Sequence, residues 1–520
     1  MSDVILFYPR TGLDVKKVSV GLPLPLLAVA SEIVRDFSVK IIDQRVDDDW
    51  ANTLIEEVKK RPLCVGITAM TGHQIFHGLA ASRIVREYGD GIPIVWGGMH
   101  VTLMAQQSIM HPLVDIVVKG DGEWAFRDLV RALADKRSVD TVGSIFWKDD
   151  GKVRMNPDGP SLILDQTLPY PFDLVNVENY VSPGEYLFPG LKRVLPFMGS
   201  RGCPFKCTFC SEPALTKVYK MMKPEIIYER TSTMAKRFNL DMILFYDEEF
   251  FVNTKWATRV AELINGEFKW WTQTRANDLL RVDLKKLERC GLYVTVPGLE
   301  SGSNRVLEFI KKKETVGEYL EANRRLAQTG ILVMYNLMMG FPGETREEVY
   351  ETLDFAIQLM KDNPKSYIHS LSLLTILPGT ELFEQSKQWG YVPPGDLESW
   401  TETSRHNIVN PWLKDNMEMY VNLAYTSKFV GPRAKMMAQK YWYIPPFAFD
   451  IYDRVIRRRW RKRMFKNSWD VKLLRFLHKT FVNPVLTRPK PSVGEKVQGG
   501  RQLAGPAKPV EGRLEEIYTR

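Results

Sequence analysis

Cysteine and histidine are scarce in this chain: five and seven among 520 residues. Five cysteines cannot staple a chain of that length, which excludes a disulfide framework as the source of its stability. No stretch reaches the ~18–20 uncharged apolar residues that a membrane-spanning helix needs. The opening segment, Met1-Ser2-Asp3-Val4-Ile5-Leu6-Phe7, lacks a basic leader and reads as a first strand, so the expected location is the cytoplasm. There is no internal repeat. What is present, 44% hydrophobic and 26% charged residues, suits a globular chain with two or three cored domains. The net charge of +9 is uneven: between Gly431 and Arg520, 21 Lys and Arg face 7 Asp and Glu, a local balance of +14, so residues 1–430 carry −5.

The order of apolar runs implies an α/β protein. In residues 1–150, Val4–Tyr8, Val39–Ile42, Cys64–Ile67, Ile94–Trp96 and Val114–Val118 are short apolar runs separated by stretches of helical spacing such as Ile75 to Tyr88. That rhythm predicts a doubly wound parallel sheet, whose ligands sit at the C-terminal ends of its strands. A hairpin is expected over Ser144 to Val153, turning at Asp149-Asp150-Gly151, and residues 151–193, rich in proline, read as a linker. A second series occupies 194–395, with strands expected at Val194–Met198, Met242–Tyr246, Phe268–Thr272, Leu292–Val296, Leu332–Leu337 and Ile368–Leu374. Helices are expected between them, for example Pro224–Phe238, Asp283–Cys290, Val316–Thr329 and Arg346–Met360. Six βα units make a partial (β/α)6 barrel, which carries chemistry on the loops after its strands. Residues 396–482 read as a helical basic region and 483–520 as a disordered tail.

Three of the five cysteines lie within eight residues of the loop after the first barrel strand, Ser200-Arg201-Gly202-Cys203-Pro204-Phe205-Lys206-Cys207-Thr208-Phe209-Cys210. Four thiolates usually complete an iron–sulfur cluster, so three leave one iron open. Zinc would want a fourth Cys or His. None is near: no His occurs between His111 and His369, and Cys64 and Cys290 lie far away in sequence and read as buried structural residues.

The loop resembles the signature of the radical S-adenosylmethionine (SAM) superfamily, three cysteines separated by three and then two residues, the last following an aromatic. The resemblance implies a 4Fe-4S cluster on Cys203, Cys207 and Cys210 whose open iron chelates SAM, and one-electron cleavage to a 5′-deoxyadenosyl radical. Further family elements follow in order: Asp247-Glu248-Glu249-Phe250, Gly298-Leu299-Glu300-Ser301-Gly302-Ser303, Met338 to Thr345 through Gly340, and Leu377-Pro378-Gly379-Thr380. On this resemblance Phe209, Asp247, Glu248, Glu300, Ser301, Ser303 and Gly340 line SAM. Arg275, after the third strand, reads as a clamp for the SAM carboxylate or substrate, or as a structural partner of Glu300 or Asp247.

The front domain is similar to the cobalamin-binding domain that precedes many radical SAM barrels, through its βα rhythm and the segments Gly97-Gly98-Met99-His100 and Lys119-Gly120-Asp121-Gly122-Glu123. Cobalamin is expected on Thr68, Thr71, Gly72, Gly97, Gly98, His100, Gly120, Gly122 and Glu123. Paired glycines let backbone approach a flat ligand, or simply make tight turns. An Asp-x-His-x-x-Gly loop is missing, so cobalamin is expected without a histidine ligand to cobalt.

The expected reaction is modification of an unactivated carbon, with C-methylation of a lipid-like or tetrapyrrole substrate first. Oxidative cyclisation or rearrangement of a tetrapyrrole is the alternative, because the resembling subgroup includes the anaerobic magnesium-protoporphyrin cyclase and hopanoid-tailoring enzymes. Expected partners are an apolar small molecule, an electron donor such as flavodoxin or ferredoxin, and the inner face of the cytoplasmic membrane. The last reading rests on Arg and aromatic residues interleaved over 441–482. RNA modification is a rival from another class, but no RNA-binding motif accompanies it, so nucleic acid is not an expected partner.

Overall fold

The computed structural model describes residues 2–12, 14, 20–182, 190–403, 410–432, 445–465 and 471–473. The end of the expected helical basic region, from residue 466, lies outside them but for 471–473, and the tail 483–520 lies entirely outside.

The apolar runs of the first 150 residues form β1 (Val4–Tyr8), β2 (Val39–Asp43), β3 (Cys64–Thr68), β4 (Ile94–Gly97) and β5 (Ile116–Val118), all parallel in the order β2-β1-β3-β4-β5. β3 is buried at every residue, as a parallel strand covered on both faces must be, and so reads as a continuous apolar run. Helices such as His73–Tyr88 and Gly122–Ala134 cover the sheet. The sheet departs from a wholly parallel one at its edge. The expected hairpin, β6 (Ile145–Asp149) and β7 (Lys152–Met155), joins β5 antiparallel and extends the sheet to seven strands. β5 also starts two residues later than expected, at Ile116; before it, the Asp115 amide donates to Ile94 O (3.0 Å), and its carboxylate accepts from the Ile94 amide (2.8 Å) and Arg86 (2.8 Å).

Past β7 the chain is a strap tied to both sheets. Leu168 N–H donates to Glu32 (3.0 Å), Tyr180 O–H to Asp43 (3.0 Å), and Lys223 N–H to Asp165 (2.7 Å). The expected linker is therefore bound structure, and its first residues belong to β7.

The second sheet contains β8 (Val194–Phe197), and a two-residue antiparallel pair, β9 (Ser200–Arg201) with β10 (Lys220–Met221), stands beside it. It continues through β11 (Met242–Phe245), β12 (Lys269–Thr274), β13 (Leu292–Glu300), β14 (Leu332–Met339) and β15 (Ser366–Leu373). The six long strands run parallel in chain order from β8 to β15, and β15 does not pair with β8, so the barrel is open. β13 and β14 outrun their expected ends. Gly298 to Glu300 and Met338-Met339 remain in the ladder, through a register shift between Gly298 and Glu300 that the apolar pattern does not reveal.

Helix ends follow local chemistry. Helix Pro224–Phe238 starts with proline in its first turn and stops at Asn239 in the left-handed conformation (φ 50°). Helices Val316–Ala327 and Arg346–Asp362 begin with capping boxes, Thr315/Glu318 and Thr345/Glu348. One core lies between sheets and helices, while a small second one, Leu191, Val194, Met242, Val294, Val296, Met334 and Tyr367, plugs the inside of the open barrel.

The described part of the C-terminal region is mostly helical, a mixture of 3-10 turns and α-helices. Helix Met417–Thr426 lies against β15, and helix Pro446–Arg461 against helix Arg346–Asp362. Part of the basic run is fixed there: Arg457 pairs with Asp453 (2.8 Å), and Arg463 pairs with Asp354 (2.5 Å) over the Tyr350 ring.

Glu348 joins several of these parts, accepting from Ser303 Oγ (3.1 Å), Arg305 Nε (2.5 Å) and the Thr345 amide (2.8 Å). The Arg305 hydrogen bond, above all, holds its carboxyl at about 2, below the usual carboxylate value. A depressed carboxylate stabilises the fold above its unfolded value near 4.5 and loses that contribution as the pH falls toward 2. Glu348→Gln should therefore cost about 1–2 kcal/mol at pH 7, read as a lower urea midpoint. The difference from the parent should shrink steadily below pH ~4.5; a pH-independent gap would mean that the charge is not what matters.

Candidate functional site

The cysteine loop leaves the C-terminal end of β8 and is closed at its neck by the β9–β10 pair, with Arg201 opposite Lys220. Asp247, directly after β11 and wholly buried, accepts from Ser200 Oγ (2.5 Å) and the Gly199 amide (3.2 Å). Burial pushes its carboxyl up to about 6 despite those bonds. Gly202 bends the loop at φ 87°, where a Cβ would stand 2.7 Å from the Thr216 methyl. Further along, Thr208 N–H donates to Ile310 O (3.0 Å) and Thr208 O accepts from the Leu382 amide (2.8 Å), stitching the loop to those after β13 and β15.

Cys203, Cys207 and Cys210 are half-buried on this loop, whereas Cys64 and Cys290 are buried elsewhere. Burial pushes the Cys203 thiol up to about 12 and Cys210 to about 11. Thiols held that high need a positive centre to be ligands, and binding of iron releases their protons. Among the described residues no three His, Cys, Asp or Glu side chains meet closely enough to hold a single ion. A lone tetrahedral zinc would need thiolates in contact around one point, whereas a cluster gives each its own iron.

Buried cations stand behind the thiols. The Arg275 guanidinium lies 3.8 Å over the Phe205 ring, between two of the cysteines in sequence, and also donates to Lys312 O. Neither Glu300 nor Asp247 is its partner. It pairs with Glu314 (3.2 Å), a residue hidden from sequence reading in the solvent-like run Lys311-Lys312-Lys313-Glu314. Lys312, also buried, joins Glu300 (3.2 Å) to Glu314 (3.8 Å); burial lowers its pKa, but those two carboxylates and Cys207 raise it overall. This donor set fits a thiolate-bound cluster, whose excess negative charge needs nearby cations.

The acidic segment after β11 divides its roles. Asp247 holds the loop neck, and Glu248 has a buried oxygen without a partner, its carboxyl pushed up to about 8 by burial and then by Glu212. Burial and then the Asp278 carboxylate push the Glu249 carboxyl up, whereas burial raises Asp278 against Arg281, Arg275 and a hydrogen bond from Glu249, all of which lower it. Of the other residues expected on SAM, Phe209 rests edge-on against Phe341 (6.1 Å). Ser301 and Ser303 bond to Thr352 (3.2 Å) and Glu348 (3.1 Å), which ties that loop to helix Arg346–Asp362. Gly340 (φ 86°) is roofed by Leu413, and its carbonyl accepts from Trp412 Nε1 (3.0 Å), so the C-terminal region covers this edge of the barrel mouth.

The loops expected to hold cobalamin gather at the C-terminal edge of β3, β4 and β5. Thr71 Oγ1 lies 2.9 Å from His100 Nδ1, and His100 Nε2 is buried with no partner. Burial pushes that imidazole down to about 4, so it is neutral at pH 7. The glycines separate into two kinds. A Cβ on Gly98 would stand 2.8 Å from Thr68 Oγ1, and one on Gly72 2.7 Å from Thr403 O, so both serve tight turns and close packing. At Gly120 (φ 74°) nothing lies within 4 Å of such a Cβ, and at Gly97 only Val118 O at 3.9 Å, leaving room for a ligand. Gly122 opens helix Gly122–Ala134 against Val29, and Glu123 is turned onto Arg201. The open edge at Gly97 and Gly120 and the orphaned imidazole nitrogen fit a bulky polar ligand.

Residues 198–356 match the Radical SAM superfamily and residues 15–130 the B12 binding domain. An uncharacterized methyltransferase of Pyrococcus horikoshii is 29% identical, with 83% of this chain and 93% of that protein covered. The anaerobic magnesium-protoporphyrin IX monomethyl ester cyclase of Rubrivivax gelatinosus is 27% identical over 72% of this chain, which spans 66% of the cyclase's length. Among solved structures, the radical SAM methyltransferase TsrM from Kitasatospora setae, holding cobalamin and a [4Fe-4S] cluster, shares the fold at a TM-score of 0.60 and 19% identity, with 76% of this chain and 77% of that one covered.

Replacing any one of Cys203, Cys207 or Cys210 by Ala should abolish both the cluster absorbance of anaerobically reconstituted protein and its 5′-deoxyadenosine formation. Cys64→Ala and Cys290→Ala should keep both, and iron loss in either would redraw the ligand set.

Proposed function

We propose that this chain, a radical SAM enzyme with a B12-binding domain at its front, transfers a methyl group to an unactivated carbon of an apolar small molecule, lipid-like or tetrapyrrolic. The observation that carries the reading is the juxtaposition of two edges. The three-cysteine loop at the mouth of the open barrel meets the C-terminal edge of the front sheet, where Asp121 and Glu123 reach Arg201. When bound, the cluster supplies the electron that cleaves SAM, and cobalamin supplies a carrier for the methyl group.

The protein's own residues position, exclude water and hold charge. Asp247 fixes the loop neck, while Arg275 and Lys312 hold positive charge behind the thiolates. Glu300, paired with Lys312, Phe209 and Glu248 face SAM in this reading; Ser301, Ser303 and Gly340 shape its loops through the backbone. Substrate would enter the barrel above the small apolar plug, where Tyr246 and Trp271 stand edge to face at 5.8 Å and Ser370 donates to Asn336 (3.0 Å). Two aromatic rings with few polar groups suit a broad apolar molecule. The likeness to the cyclase supports ring formation on a tetrapyrrole as the second reading.

Among the described residues no helix is long and apolar enough to cross a membrane. Helix Pro446–Arg461 nevertheless exposes Phe447 (65%), Ile451 (53%) and Val455 (41%) at four-residue spacing. Arg454, Arg458, Arg461 and Lys462 are exposed nearby. That pattern supports peripheral docking on an anionic bilayer, which would also bring apolar substrates to the enzyme.

Mass spectrometry of products from reduced enzyme, SAM, cobalamin and a flavodoxin donor separates the two reactions. Methyl transfer gives S-adenosylhomocysteine alongside 5′-deoxyadenosine, whereas 5′-deoxyadenosine alone would overturn it in favour of cyclisation or rearrangement. Co-sedimentation with phosphatidylserine-containing vesicles should fall at least tenfold for the Phe447→Ser, Ile451→Ser, Val455→Ser variant, and equal binding by the parent to purely zwitterionic vesicles would remove the electrostatic part of the reading.

A further inference from the structure

The neck of the cysteine loop carries two cations, and both are gripped from the other sheet. Arg201 Nη1 donates to Asp121 Oδ1 (2.9 Å), Arg201 Nη2 to Glu123 Oε1, and Lys220 Nζ to Asp121 Oδ2. The side chains are secluded: Glu123 is 3% exposed and Arg201 20%. Burial works against the Arg201 charge, but Glu123 and Asp121 raise its pKa overall, and the same cations hold Asp121 below its usual value despite its burial. An ion cluster this enclosed is rigid, because moving one member strands the charge of another away from water.

Its placement is what gives it consequence. Arg201 is two residues before Cys203, and Lys220 is its strand partner at the far end of the same loop. Asp121 and Glu123 come just after Gly120, the glycine with open space beside it at the cobalamin-facing edge, whose amide donates to Thr102 Oγ1 (3.0 Å) in helix Met99–Leu103, which follows β4. Asp121 stands at the start of helix Gly122–Ala134, yet its side chain makes no capping bond there. Helix Glu212–Leu215, just past Cys210, also rests on helix Met99–Leu103 of the front sheet. A ligand that sets the β5 loop therefore sets the carboxylates, and these set the frame from which the cysteines project.

We propose that Asp121 and Glu123 are positioning residues of the cluster loop, acting through Arg201 and Lys220, and that they couple cobalamin occupancy of the front sheet to the cluster on the cysteine loop. The inference rests on the cofactor reading above and adds a thermodynamic link to it: each group binds more tightly when the other is present, by the same factor in both directions.

The test is the dissociation constant of hydroxocobalamin, titrated by absorbance into full-length anaerobic protein with and without its cluster. The parent should show about a tenfold difference. In Glu123→Gln, and in Asp121→Asn with Glu123→Gln, the ratio should fall toward one while cobalamin still binds, and the electron paramagnetic resonance signal of the reduced cluster should shift or broaden. Arg201→Lys, which keeps a cation but loses the fork, should retain part of the ratio; circular dichroism identifies any variant that fails to fold, and the single Glu123→Gln change then carries the test. An unchanged ratio in the folded variants, or a ratio of one in the parent, would overturn the coupling alone. Absence of any cobalamin binding by the parent would bring down the cofactor reading and the coupling together.

Discussion

Charge held out of water around one loop governs the architecture of this protein. Three half-buried thiols become ligands only beside positive charge; behind them the fold holds Arg275 and Lys312, and at the neck of their loop Arg201. Each of those cations needs carboxylates of its own in a place where water cannot help. Arg201 therefore has Asp121 and Glu123, Arg275 has Glu314, and Lys312 has Glu300 and Glu314. These four acids come from three segments, the turn into the helix after β5, the end of β13 and the stretch before helix Val316–Ala327, so the ionic shell around the cysteines also ties the two halves of the molecule together.

The same economy of parts recurs at the edges of the site. The strap after β7 bonds to the front sheet at Glu32 and Asp43 and to the barrel at Lys223, which holds two C-terminal strand edges toward each other. Trp400, fully buried, donates to Gln107 (2.6 Å) and lies 5.4 Å from His100, while Trp412 closes over Gly340. Residues remote in sequence thus roof both candidate cofactor loops, and the barrel's missing wall on the β15 side is covered by helix Met417–Thr426. On the inner face of the barrel Tyr246 stays exposed, with Trp271 and Asn336 half-buried.

Much of this was legible from the residues alone, because strand order follows chain order wherever βα units repeat. The parallel runs of both sheets, the hairpin turn at Asp149 to Gly151, helix Pro224–Phe238 and the three-cysteine loop all announce themselves through local pattern. Local pattern also misleads where a side chain bonds to something distant. β5 starts only at Ile116, the bulge near Gly298 lengthens β13, and the bonds of Glu123, Ser301 and Ser303 to Arg201, Thr352 and Glu348 have no signal in the sequence.

The sequence by itself determined the fold class and the thiolate trio, since apolar periodicity and close cysteine spacing are properties of short segments. Which carboxylate answers which cation was decided only in three dimensions. Glu314 looks like part of a solvated charge run, and Asp121 looks like a helix cap, until folding brings Arg275 and Arg201 against them. Ion pairing out of water depends on distance and burial, and neither is written in the order of residues along a chain.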